Sequence, residues 1–175
     1  MIWLVVGCDG TGKSEFCKRL SCKTGMPVIH MDKPKTEEEK ENMFKQYRDL
    51  FMEKNDFIMD RSFYCEMVYG PVMRDKSWIS IEHMVQLEEI LSTKGAFVVH
   101  CTDDAERIMA RFATTHEDYV TMQDQVEALL MGYKVILAGS SLPVLLYTIP
   151  KGGDEIAKFK ADHARSLHEI CKESE

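Results

Sequence analysis

The chain has 175 residues and a formal net charge of −7, with 45% hydrophobic and 29% charged residues. That is the length of one domain, with enough apolar content for a core of its own. An acidic balance repels polyanions, so nucleic-acid polymer is disfavoured as a partner, whereas a local group of Lys and Arg can still hold a small anion.

In chain order, Ile2 to Val6 is a short apolar run ending at a glycine, which predicts a buried parallel strand. A helix is expected from Gly12 to about Lys23, and a second strand over Pro27 to His30. Thr36 to Lys54 is charged but carries Met43, Phe44, Tyr47, Leu50 and Phe51 at helical spacing. Asp56 to Asp60 reads as a third strand ending in an acid, followed by a helix from Ser62 to about Met73 that Gly70-Pro71 kinks or ends. Ile81 to Leu91 is a helix and Ala96 to Cys101 a fourth strand. Thr102-Asp103-Asp104 caps a helix running through Arg111, and Phe112 to Tyr119 has no clear periodicity. A long helix carries Val126, Leu129, Leu130, Tyr133 and Leu137, Leu142 to Ile149 is a fifth strand, and Asp154 to about Lys172 a closing helix. Strands alternating with helices predict an α/β fold: a doubly wound, five-stranded parallel sheet with helices on both faces and a ligand at the carboxyl edge.

No apolar run approaches the roughly 18 residues needed to span a bilayer, and the first residues lack a basic segment and a cleavage site, so neither membrane span nor signal peptide is expected. The six cysteines include no C-x-x-C pair and no zinc-spaced His, which fits reduced thiols in a cytoplasm. His163 and His168, five apart, have poor ligand spacing; Glu37-Glu38-Glu39 reads as a solvated helix face, and twelve methionines as adaptable packing.

The chemistry concentrates at Gly7-Cys8-Asp9-Gly10-Thr11-Gly12-Lys13-Ser14, a G-x-x-x-x-G-K-S loop between a predicted strand and a predicted helix. Glycines at 7, 10 and 12 let backbone N–H groups, including that of Thr11, curl around phosphate oxygens, and the helix N-terminus adds positive potential. Lys13 is expected at the β- and γ-phosphates of ATP, and the Ser14 hydroxyl in the Mg²⁺ shell. At the third strand's end, Asp60 can hold the metal through water or orient an attacking oxygen, and Arg61 can grip an anionic acceptor; a strand-end ion pair is the plain alternative. No Asn-Lys-x-Asp segment for reading guanine is present, and the short chain favours a small-molecule kinase over a motor.

From Met1 to about Ile149 these motifs resemble the thymidylate kinases. The Gly-x-Asp-Gly-x-Gly-Lys form of the loop, Asp60-Arg61, and a Tyr eight residues beyond Arg61 (Tyr69) carry the resemblance, together with Phe44-x-x-x-Arg48. It implies contact of Asp9 with the acceptor's sugar 3′-hydroxyl, acceptor-phosphate binding by Arg61 and exclusion of a ribose 2′-hydroxyl by Tyr69. It also implies stacking of Phe44 on the base and contact of Arg48 with the base edge or phosphate. Glu66 stands where an amide commonly reads the pyrimidine, and Ser62 where the family has an aromatic residue. The plain alternative for Phe44 and Tyr69 is an ordinary core position. The trimmed form looks like compact bacteriophage deoxynucleotide kinases, acting in a host cytoplasm.

A lid is expected near 107–120. The phosphate loop contains no Arg and Phe112 to Tyr133 no Lys or Arg, so Arg107 and Arg111 are the candidates to meet the transferred phosphoryl group unless Asp103 or Asp104 ties them down. The expected activity is ATP·Mg²⁺-dependent phosphorylation of a deoxynucleoside monophosphate, dTMP or a related pyrimidine, by a single-domain enzyme whose assembly as a homodimer stays open. The alternatives are a deoxynucleoside kinase acting on a 5′-hydroxyl, a nucleotide-binding module without activity, and a kinase of a modified base in DNA.

Overall fold

The computed structural model describes residues 1–31, 33–115 and 123–149. The expected helix over 154–172 and part of the expected lid lie outside the described residues.

Five parallel strands form one sheet in the order β2-β3-β1-β4-β5: β1 (Ile2–Val6), β2 (Val28–His30), β3 (Phe57–Asp60), β4 (Phe97–Cys101) and β5 (Val144–Tyr147). Side chains alternate across it. Leu4, Met59 and Val98 face a large cluster built from α3 (Met43–Glu53), α4 (Phe63–Arg74), α5 (Ile81–Ser92), α6 (Ala105–Thr115) and α7 (Gln123–Ala138). Trp3, Val5, Ile58 and Val99 face Phe16, Cys17 and Leu20 of α1 (Lys13–Thr24). Both faces of the central strands are therefore buried, which is why β1 reads as an unbroken apolar run.

Two boundaries depart from the sequence expectation, and α4 ends about where it was expected to. The stretch from Thr36 to Lys54 splits at Asn42 into α2 (Glu37–Glu41), opened by a Thr36/Glu39 capping box, and α3. Gly70-Pro71 does not end α4, which continues to Arg74 and stops at Asp75 in a left-handed conformation, φ 55°. Helix α6 extends past Arg111 to Thr115, with Phe112 buried against the phosphate loop.

Two buried polar groups serve the scaffold. The Glu88 carboxylate accepts from Tyr64 and Ser140 hydroxyls and from the Ser141 N–H at 2.9 Å and hydroxyl at 2.7 Å, tying α4 and α5 to the turn after α7. His100 on β4 packs against the Tyr133 ring at 5.4 Å. Burial, with Lys134 adding to it, lowers His100 to about 4. A neutral imidazole in the fold and a normal one, near 6.5, in the unfolded chain mean that stability is complete above about pH 6.5 and is lost as pH falls towards 4. The loss is on the order of 3 kcal/mol, and the urea midpoint of His100→Gln should depend less on pH across that interval than the wild type's.

Candidate functional site

The phosphate loop joins β1 to α1 across the carboxyl edge of the sheet. Gly7 sits at φ 144° beneath β4, where a Cβ atom would lie 2.0 Å from the Cys101 carbonyl oxygen. Only glycine fits there, because the obstacle is backbone. Gly12, at φ 79°, precedes α1 without a side-chain cap, an arrangement that suits an anion at the helix N-terminus.

Within the loop, Thr11 Oγ1 donates to the Cys8 carbonyl at 2.6 Å, and Lys13 Nζ donates to the same oxygen at 2.8 Å. Lys13 Nζ also lies 3.4 Å from Asp9 Oδ1, which accepts from Arg61 Nη2 at 2.9 Å. Burial opposes ionisation of Asp9, but Lys13 and Arg61 outweigh it and hold the carboxyl below its usual range. Burial pushes the Cys8 thiol up to about 11, which leaves it protonated and a poor nucleophile.

Asp60 ends β3 and is buried; His30 Nδ1 stands 3.7 Å from its Oδ2, and its Oδ1 has no hydrogen-bond partner among the described residues. Arg61 follows at φ 71°, a left-handed conformation unusual outside glycine, anchored by its N–H to the Val5 carbonyl at 3.0 Å. The turn aims its guanidinium at Asp9. Tyr69 comes from α4, and its hydroxyl accepts the Asp9 N–H at 2.8 Å, so this residue braces the phosphate loop while its ring lines the neighbouring cavity.

Mg²⁺ usually keeps several waters and takes one or two protein oxygens plus substrate phosphates. The unpartnered, buried Asp60 Oδ1 and the exposed Ser14 at the head of α1 fit that donor set, and the glycine loop fits a nucleotide's phosphates. No group of three or more His, Cys, Asp or Glu that could hold a metal ion occurs among the described residues.

A cavity of ≈ 260 Å³ opens beside the loop. Arg61, Ser62 and Tyr69 line it from the phosphate side, and Met43, Tyr47, Cys65 and Glu66 from α3 and α4. Lys33, Arg74 and Trp78 complete its polar and aromatic wall. Of the acceptor residues expected from sequence, the structure brings Asp9, Arg61, Glu66 and Tyr69 to this region and leaves out two. Phe44 stacks on His83 of α5 at 4.3 Å and 14°, and Arg48 pairs with Asp49 at 3.0 Å on the surface, with Phe44 beneath it. Neither lines the cavity. The face of α3 turned to the cavity is the one shared by Met43 and Tyr47, four residues apart, so the expected helix is right and its expected face is not. Tyr47 and Arg74 carried helical-spacing signals, at i+4 from Met43 and i+8 from Glu66, that could have found them; Lys33 and Trp78 carried none.

Just before α6, Asp103 holds both expected lid arginines. Arg107 Nη1 lies 3.2 Å from Asp103 Oδ1 and its Nε 3.7 Å from Asp104, while Arg111 Nη2 bonds Asp103 Oδ2. Arg111 Nη1 also donates to the Gly10 carbonyl at 2.8 Å, which places this guanidinium on the phosphate loop and leaves Arg107 on the helix surface.

No protein-family model matches the chain. The SPbeta prophage-derived uncharacterized protein YorR of Bacillus subtilis (strain 168) is 26% identical over 159 residues, spanning 89% of this chain and 93% of the relative. The crystal structure of YorR in complex with phosphorylated GDP has a TM-score of 0.79 at 21% identity, covering 97% of this chain and 98% of that one. Deoxyadenosine kinase from M. mycoides with bound dATP has a TM-score of 0.63 at 13% identity over 94% and 100% of the two chains. Thymidylate kinase from Candida albicans has 0.55 at 17% over 99% and 93%. The fold is that of the P-loop nucleotide kinases.

Proposed function

We propose that this protein transfers the γ-phosphoryl group of ATP to a 2′-deoxynucleoside monophosphate. One observation carries the reading: the phosphate loop and a cavity of ≈ 260 Å³ share Arg61, a cation held in a strained turn between them. Lys33 and Arg61 stand on the cavity wall, where Arg74 offsets Glu66, which suits an acceptor that arrives as an anion on an otherwise acidic protein. A relative of known structure with a phosphorylated guanine nucleotide and fold neighbours that handle deoxynucleotides support a nucleotide ligand.

In this reading the α1 N-terminus, Gly10, Gly12 and Lys13 bind the donor's phosphates, and Arg111 meets charge on the group in flight. Ser14 and Asp60 would hold Mg²⁺, which would supply positive charge to offset that on the donor's phosphates. Arg61 holds the acceptor phosphate, whose oxygen is already ionised near neutral pH, so the main contribution is alignment and charge stabilisation. Asp9 contacts the sugar, and the buried Tyr69 ring excludes a 2′-hydroxyl.

A second reading, a deoxynucleoside kinase, is favoured by the free acceptor atom Asp60 Oδ1, which could take a proton from a neutral 5′-hydroxyl. A coupled assay over deoxynucleoside monophosphates, ribonucleotides and deoxynucleosides tests both. The expected result is ATP consumption with at least one deoxynucleoside monophosphate and a clear preference for dUMP over UMP. Use of thymidine in preference to dTMP would replace the first reading with the second.

A further inference from the structure

The cavity contains a small construction that neither phosphate binding nor loop bracing uses. Arg74, in the last turn of α4, reaches back two turns, and its Nη2 donates to both oxygens of Glu66 at 2.7 and 2.8 Å. Its guanidinium carbon lies 4.1 Å from the centre of the Trp78 ring. Glu66 Oε1 also accepts the Trp78 backbone N–H at 3.1 Å. All three residues line the cavity.

The backbone is shaped to allow this. A Cβ on Gly70 would stand 2.6 Å from the Lys76 carbonyl oxygen and 2.9 Å from Glu66 Oε1, so glycine is needed for the segment after α4 to fold back over the helix. Asp75, left-handed at φ 55°, makes the turn, donating its N–H towards the Gly70 and Pro71 carbonyls. The result is a guanidinium that lies over an indole and has one nitrogen spent on a carboxylate.

We propose that Arg74 reads the acceptor base, and that it selects bases presenting a carbonyl: 4-oxopyrimidines and 6-oxopurines, over the amino bases cytosine and adenine. The inference rests on the reading of this cavity as the acceptor site. Of arginine's five N–H bonds, those on Nε and Nη1 have no partner among the described residues and are the donors left for a ligand. Glu66 is neutralised by Arg74 and already accepts three contacts from two donors, so the cluster meets a base chiefly as a donor. A carbonyl oxygen accepts from either of these donors. An exocyclic amino group in the same place sets N–H against N–H and takes up none of these donors. Preformed anchoring by Glu66 and Trp78 means little side-chain freedom is lost on binding. Base reading is thereby assigned to the end of α4, not to Phe44 and Arg48.

The test is calorimetric binding of dTMP, dGMP, dCMP and dAMP to the whole protein, with the coupled kinase assay run beside it. The wild type should bind dTMP or dGMP at least about tenfold tighter than dCMP and dAMP; which of the two prevails tells oxopyrimidine from oxopurine. Arg74→Ala and Arg74→Lys should each reduce that ratio at least about fivefold while ATP affinity and melting temperature stay near wild type. Tightest binding of dCMP or dAMP, no binding of any of the four, or an unchanged ratio in a folded Arg74 variant would overturn the proposal. Binding selectivity without phosphoryl transfer would instead remove the kinase reading and leave base recognition standing.

Discussion

Replacing Lys13 with alanine is expected to lower kcat at least about 100-fold while the protein stays folded, which corresponds to ~2.7 kcal/mol of barrier. The ammonium is held at the loop's rim by the Cys8 carbonyl and the Asp9 carboxylate, both inside the phosphate cradle. A modest rotation of a flexible four-carbon stem carries it onto the donor's β- and γ-phosphates. The alanine removes this charge and its bonds to the Cys8 carbonyl and Asp9. The Thr11–Cys8 bond, the Tyr69–Asp9 bond and the Arg61–Asp9 pair all remain, so the loop keeps its shape. Near-unchanged melting and weakened ATP binding would accompany the kinetic loss. A drop of less than about tenfold in kcat in a folded variant would mean that this loop is not where phosphoryl transfer takes place.

Sequence and structure agree where backbone chemistry dictates the outcome. The glycine loop was legible because its positions are forced by φ angles and by the Cys101 carbonyl above Gly7, constraints that no neighbouring side chain can alter. The five strands were legible because each is short, apolar and closed by a turn signal. Phe44 and Arg48 show where legibility stops. Helical periodicity fixes which residues share a face, but not which of two adjacent faces a neighbouring helix covers. Helix α5 covers Phe44 through His83, and the cavity takes the Met43/Tyr47 face instead. Arg74 and Trp78 were missed for another reason: their partnership with Glu66 depends on the chain folding back after Asp75. In sequence, Gly70-Pro71 read as a kink or a helix end, whereas the glycine makes room for that return.

Arg61→Ala is the experiment that divides the two readings of the site, and its expected effect is a rise of at least about tenfold in the acceptor KM together with a lower kcat. The argument starts from the backbone. Arg61 sits at φ 71°, and alanine there bears the same left-handed penalty as arginine, because both carry a Cβ. The substitution therefore leaves turn strain unchanged, and a kinetic effect cannot come from relaxation of the β3 terminus. What it removes is a guanidinium 2.9 Å from Asp9, on the wall between the phosphate loop and the cavity. In a monophosphate kinase the acceptor reaches that wall carrying about two negative charges, so the cation contributes before transfer as well as during it. The loss then appears in KM and in kcat, and Arg61→Lys, which keeps the charge without the fork, recovers only part of it. In a nucleoside kinase the acceptor is neutral when it binds, and Arg61 has no phosphate to hold until charge moves. The loss then falls on kcat alone, with thymidine as the better substrate. Asp9 provides an internal control. Without Arg61 its carboxyl keeps only Lys13 as a cationic partner and titrates closer to its usual range, so the acid limb of the activity profile should move to higher pH in Arg61→Ala under either reading. A moved acid limb with an unmoved KM for dTMP would mean that Arg61 is a strand-end ion pair and the acceptor phosphate is held elsewhere.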